Sequence, residues 1–197
     1  MDKFKNKYRI KSTRLPHWDY GSNALYFVTI CCKNRNHFFG NISNGAMHLS
    51  QIGQMAEKYW LEIPQHFPFV VLHNHIIMPN HVHGIIEIAK TNDGNVGDNV
   101  GDNVVVETQN FASLQQQQQQ PSPPKNKFGP QSKNLASIIR GFKIGVTKNA
   151  RQIHPEFAWQ SRFHDHIICN HESYSRISNY IITNPIRWKE DKFHSTI

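Results

Sequence analysis

A chain of 197 residues with 22 basic and 14 acidic side chains, a formal net charge of +8, can build one domain with a full core, and its charge favours a polyanionic partner. Its three cysteines, Cys31, Cys32 and Cys169, form no C-x-x-C pair, which argues against a disulfide framework or a zinc knuckle and fits a reducing compartment. No signal peptide is visible and no apolar run approaches the ~18 residues of a membrane span, so the expectation is a soluble, cytoplasmic protein without a membrane partner.

Taken in chain order, the N-terminus alternates Lys3, Lys5, Lys7, Arg9 and Lys11 with Phe4, Tyr8 and Ile10. That pattern suits a solvated arm, and equally an arm laid along nucleic acid, with rings stacking and cations meeting phosphates. Residues 24–32, ALYFVTICC, are rich in aromatic and β-branched side chains and predict a strand. From 50 to 63, Ile52, Met55, Ala56, Tyr59 and Trp60 recur at helical spacing, with Ser50 as N-cap and Pro64 closing the turn. Two further strands, 69–78 and 81–88, follow around a Pro79-Asn80 turn.

The pattern then collapses. Near-repeats of Gly-Asp-Asn-Val, six glutamines at 115–120 and Pro121-Ser122-Pro123-Pro124 supply no packed face. The stretch from about 91 to 132 reads as a disordered low-complexity insertion within a single domain spanning 1–197. Residues 91–131 hold four acids against two lysines, so the remainder, with 20 basic and 10 acidic residues, stands at +10. Order resumes at Asn134, where Leu135, Ile138, Ile139, Phe142, Val146 and Ile153 form an amphipathic stripe. Arg140, Lys143, Lys148 and Arg151 lie off that stripe and, with Arg162, are candidates for phosphate contact; a solvated helix flank is the plainer alternative. A strand at 164–169 and a helix at 171–183, capped by Asn170 and ended before Pro185, complete the chain. The order β-α-β-β-(insertion)-α-β-α predicts an α+β fold, a ferredoxin-like or RRM-like sandwich. Its antiparallel sheet would carry helices on one face and the histidine strand at its centre.

The chemistry centres on Pro79-Asn80-His81-Val82-His83-Gly84. Strand alternation puts His81 and His83 on one accessible face while Val82 faces the core. Two imidazoles so placed can share a divalent cation; a pair of partly exposed strand histidines is the simpler reading. Tyr180 and Asn184, four residues apart on a helix, lie ~40° apart around its axis and ~6 Å along it. A tyrosine hydroxyl there could attack phosphorus, and an amide oxygen one turn on could complete a metal's ligands while leaving positions open for a phosphate oxygen and water. Without that role, Tyr180 is a helix tyrosine packed on the sheet and Asn184 a residue before a proline. Tyr174, at helical spacing with Ile177 and Ile181, suits a packing role better than Tyr180 does.

With these pieces in place the chain resembles the REP-associated tyrosine transposases, of the single-tyrosine branch of the HUH single-strand endonucleases. The resemblance rests on YFVTICCKNR (26–35), MPNHVHG (78–84), IIRGFKIGVTK (138–148), WQSRFHDHIICN (159–170) and YIITNPIRW (180–188). It implies His81 and His83 as metal ligands, Tyr180 as nucleophile, and Asn184 in the third ligand's place, where related insertion-sequence enzymes use glutamine. It further implies cutting and rejoining of single-stranded or hairpin, REP-like DNA through a 5′-phosphotyrosine and a free 3′-hydroxyl, with magnesium or manganese as cofactor. The protein would act as a monomer or homodimer. His164, Asp165 and His166 belong to the shared motif without an evident role. Two other readings compete: a catalytically silent DNA-binding module, and an HNH-type nuclease built on the literal string His73-Asn74-His75.

Overall fold

The computed structural model describes residues 3–4, 7–8, 14–91 and 132–194, so the stretch read as a disordered insertion lies almost wholly outside the described residues. Two two-residue strands, β1 (Lys3–Phe4) and β2 (Lys7–Tyr8), pair with each other at the N-terminus. The main sheet comprises β3 (Ala24–Cys31), β6 (Val70–Met78), β7 (His81–Ile88) and β8 (His164–Ile168) in the order β6-β7-β3-β8, antiparallel throughout. The histidine strand is therefore an interior strand, as expected. Three main helices pack on the sheet: α1 (Gln51–Leu61), α3 (Leu135–Ile153) and α4 (His171–Thr183); the short α2 (Ile63–His66) follows α1.

Each of the three longer helices starts where a local side chain satisfies a free N–H group. Ser50 Oγ accepts from Gly53 N at 3.1 Å, Asn134 Oδ1 from Ser137 N at 2.9 Å, and Asn170 Oδ1 from Ser173 N at 2.8 Å. The main core lies on one face of the sheet. There Tyr26, Val28 and Ile30 of β3 and Val82 and Ile86 of β7 meet Ala56 and Trp60 of α1 and Ile138, Phe142 and Val146 of α3. Gly84 is part of that packing, since a Cβ there would stand 2.2 Å from Trp60 Cζ2.

The other face of the same strands carries Leu25, Phe27, Thr29 and Cys31 alternating with the core set, and His81, His83 and Ile85 across from them. The expected single helical layer holds for α1 and α3. The last helix differs: Ile177 and Ile181 of α4 pack on Leu25, Ile85 and Ile168, so α4 covers the opposite face. This second cluster receives the apolar side of α4.

Two further features depart from the expected order. A hairpin, β4 (Gly40–Ser43) and β5 (Ala46–Leu49), precedes α1, turning at Asn44 (φ 52°) and Gly45 (φ 73°). Both central residues are left-handed, as a tight type I′ turn requires. A bulge between Leu72 and His75 also shifts the β6–β7 register. It sends His73 to the α4 face, on Glu87 and Tyr174, and His75 to the α1 face, on Glu57 and Trp60. The two histidines cannot share a metal, which removes the HNH reading. No helix among the described residues is long and apolar enough to cross a membrane.

Candidate catalytic site

β7 presents His81 and His83 to the underside of α4. Both are buried, with 0% and 1% of their surface exposed, rather than open to solvent as strand alternation alone suggested. The cover is α4 together with a turn at 188–194, which brings the Phe193 ring to 4.6 Å from that of His81. Burial pushes the His81 imidazole down to about 3, helped by Lys192 and Arg35, and holds His83 well below its ordinary value. Both rings are neutral at pH 7, the form that binds a metal.

Partners fix the ring orientations. Asn80 Nδ2 donates to the carbonyls of Arg35 (3.2 Å) and Phe193 (2.9 Å), so its Oδ1 is the atom that meets His81 Nδ1 at 2.8 Å. An amide oxygen only accepts. His81 Nδ1 therefore carries the hydrogen and Nε2 presents a bare lone pair, buried and without a partner among the described residues. Thr29 Oγ1 stands 2.9 Å from His83 Nδ1. A hydroxyl can donate or accept, so Thr29 supports either tautomer of His83 while keeping Nε2 turned toward α4.

Tyr180 and Asn184 arrive together from α4, as their spacing predicts. Tyr180 Oη lies 3.2 Å from His83 Nε2, and its ring meets Phe27 edge-on at 6.3 Å. α4 thus delivers Tyr180 to the histidines of its own chain. The tyrosine is 36% exposed, and burial, with the Asp191 charge beside it, pushes its hydroxyl up to about 12. Tyr174 is held elsewhere, its hydroxyl 3.1 Å from His73 Nδ1, in a structural role.

Asp191 has no counterpart in the sequence reading. Its Oδ2 accepts from Tyr180 Oη (3.1 Å) and Asn184 Nδ2 (2.8 Å), and its Oδ1 from Phe193 N (2.7 Å). One ligand atom each from His81, His83 and Asp191 lies within 4.8 Å of the others. Asn184 is 1% exposed; with its Nδ2 committed to Asp191, its Oδ1 is a second buried acceptor without a partner among the described residues. Two neutral imidazoles, a carboxylate and the Asn184 amide oxygen make a donor set that fits a divalent cation. Nothing in the spacing marked Asp191, although an acid soon after the tyrosine helix was a signal open to reading.

The cations chosen from sequence fall elsewhere. Arg140, Lys143, Lys148 and Arg151 ride on α3, with the sheet between them and Tyr180. Lys143 Nζ donates to the carbonyls of Gln160 (2.7 Å) and Arg162 (3.2 Å), and burial lowers it to about 8. Arg151 Nε donates to Phe157 O at 3.1 Å. Arg140 and Lys148 remain exposed and border a groove floored by Ile139, Ile144 and Phe163. Arg162 is exposed at the loop leading into β8.

Among solved structures, a REP-associated tyrosine transposase bound to a REP hairpin superposes over 98% of this chain and 77% of its own, with a TM-score of 0.51 at 16% identity. The fold is that of a REP-associated tyrosine transposase. A protein from Deinococcus radiodurans aligns over 89% of this chain and 96% of its own at 9% identity, with a TM-score of 0.42. An uncharacterized protein of Haemophilus influenzae is 37% identical over 185 residues, 93% of this chain and 92% of the relative. The chain belongs to the same family as that protein. No model of a known protein family matches the chain.

Proposed function

We propose that the chain is a tyrosine transposase: a metal-dependent DNA strand transferase that cuts and rejoins single-stranded DNA at hairpin or REP-like elements. The observation that carries this reading is the meeting of Tyr180 Oη, at 3.2 Å, with His83 Nε2 in a pocket that also holds a bare His81 Nε2 and the Asp191 carboxylate. The transposase fold and the REP hairpin bound by the structural neighbour support the substrate class.

His81, His83 and Asp191 would hold a magnesium or manganese ion, with Asn184 holding Asp191 in place; the amide oxygen of Asn184, expected from sequence as third ligand, is the alternative donor. A divalent cation there supplies polarisation of the scissile phosphate and offsets charge that builds on its oxygens. Tyr180 Oη attacks phosphorus, and the bond between phosphorus and the 3′-oxygen breaks. The hydroxyl proton passes to solvent, which the half-exposed tyrosine reaches, and the departing 3′-oxygen takes one up. Tyr180 then carries the 5′-phosphate, and a 3′-hydroxyl attacking in the reverse sense restores a phosphodiester and the free tyrosine.

The test is the covalent adduct. Incubated with manganese and single-stranded hairpin DNA, the wild-type protein forms a species that survives denaturation and carries the 5′ side of the cut strand. Tyr180→Phe keeps the fold and forms none, whereas Tyr174→Phe still forms it. A wild-type protein that binds DNA tightly yet never yields an adduct would make the chain a binding module instead.

A further inference from the structure

A phosphate attacked by Tyr180 has to enter and leave across open surface, and the site is open on one side. Toward β6, α4 itself closes the face, with Tyr174 bonded to His73 and Ile177 and Ile181 seated on Ile85. At the His81 end the 188–194 turn closes it, pinned by Arg35 Nη1 donating to Lys192 O at 2.7 Å and by the Asn80 bond to Phe193 O. The remaining approach runs over β3 toward the edge strand β8.

The register decides what lines that approach. His164 pairs with Thr29 and His166 with Phe27, so both imidazoles stand on the Tyr180 face of the sheet, and both are exposed. Asp165 between them turns to the other face, where it meets Arg14. The Phe27 ring stacks on His83 at 5.3 Å, meets Tyr180 by its edge, and stays partly exposed. Across from them on α4, Arg176 lies one turn before Tyr180, on the same side of the helix by its four-residue spacing. It is exposed and has no ion pair or side-chain hydrogen bond among the described residues. An exposed guanidinium one turn from the nucleophile, on the helix beside an aromatic ring and two exposed imidazoles, matches a single strand's alternation of phosphate and base.

We propose that this furrow between α4 and β8 holds the single-stranded DNA that flanks the scissile phosphate, with Arg176 on a backbone phosphate and a base laid over Phe27 and His166. The inference rests on the strand-transferase reading for its substrate class. It also gives His166 a place against the substrate, leaving Asp165 as a fold residue.

Binding read in EDTA, without cleavage, tests it apart from catalysis. The full-length wild-type protein and Arg176→Gln are titrated with a fluorescent oligodeoxythymidylate over a range of salt, and iododeoxyuridine in the same probe is photocrosslinked and mapped by mass spectrometry. Arg176→Gln is expected to bind roughly tenfold more weakly, as loss of a charged hydrogen bond implies. Its salt slope should fall by about 0.7, one phosphate on a single strand. Crosslinks should map to 24–31 and 164–168, and His166→Ala should reduce those at Phe27 without unfolding the protein, since both substituted side chains are exposed. Wild-type affinity and slope in Arg176→Gln, absence of probe binding, or crosslinks confined to α3 would each overturn the furrow. Absence of an adduct in manganese would instead sink the strand-transfer reading and leave this measurement standing.

Discussion

Replacing Asp191 by asparagine probes the third ligand with the least change of shape. The carboxylate accepts from Tyr180 Oη, Asn184 Nδ2 and Phe193 N, and sits with His81 and His83 within 4.8 Å. The amide oxygen can keep the Phe193 contact, but the new NH₂ then faces two donors, so one hydrogen bond is lost and another turned round. On a half-buried group that costs about 1–2 kcal/mol of stability. Metal binding should suffer far more, because a neutral amide replaces the only formal charge in the ligand set. Loss of a group that merely supports a ligand lowers metal affinity 10–100-fold, so loss of the charged ligand should cost about 100-fold or more, roughly 2.7 kcal/mol or above. The Tyr180 hydroxyl should also fall from about 12 toward its ordinary value, since the neighbouring charge is gone while burial remains. Manganese titration calorimetry on wild type, Asp191→Asn and Asn184→Ala reads the first effect directly. If Asp191→Asn binds manganese as wild type does and Asn184→Ala does not bind, the ligand set is His81, His83 and Asn184, and Asp191 only braces the tyrosine.

Two further outcomes follow from burial and packing. His81 and His83 are neutral in the fold with lowered pKa values, so the unfolded chain takes up protons that the folded chain refuses. Stability of the metal-free protein is then full above about pH 6.5 and falls as pH drops below it, by about 1.4 kcal/mol per pH unit for each histidine; denaturant midpoints from pH 7.5 to 5 check this, and a flat profile would refute it. Gly84→Ala drives a methyl into Trp60 and should cost about 1–3 kcal/mol in a thermal melt, with no cost expected if α1 does not seat on β7 as described.

What could be read from the sequence was local. Ser50, Asn134 and Asn170 announce their helices because a cap bonds to backbone three residues away. His81 and His83 share a face because a strand repeats every two residues, and Tyr180 and Asn184 because a helix nearly does so every four. The hairpin at 40–49 carries its own signal in Asn44-Gly45, a dipeptide suited to two left-handed residues. What the tertiary structure decided was which element covers which face. Periodicity says that α4 has an apolar stripe but not that it lies opposite α1 and α3, since any exposed apolar surface can receive it. The bulge that parts His73 from His75, the capture of Lys143 by two distant carbonyls, and the arrival of Asp191 and Phe193 over the histidines are contacts between segments far apart in the chain. Such contacts depend on the relative placement of packed elements, and no spacing along the chain encodes it.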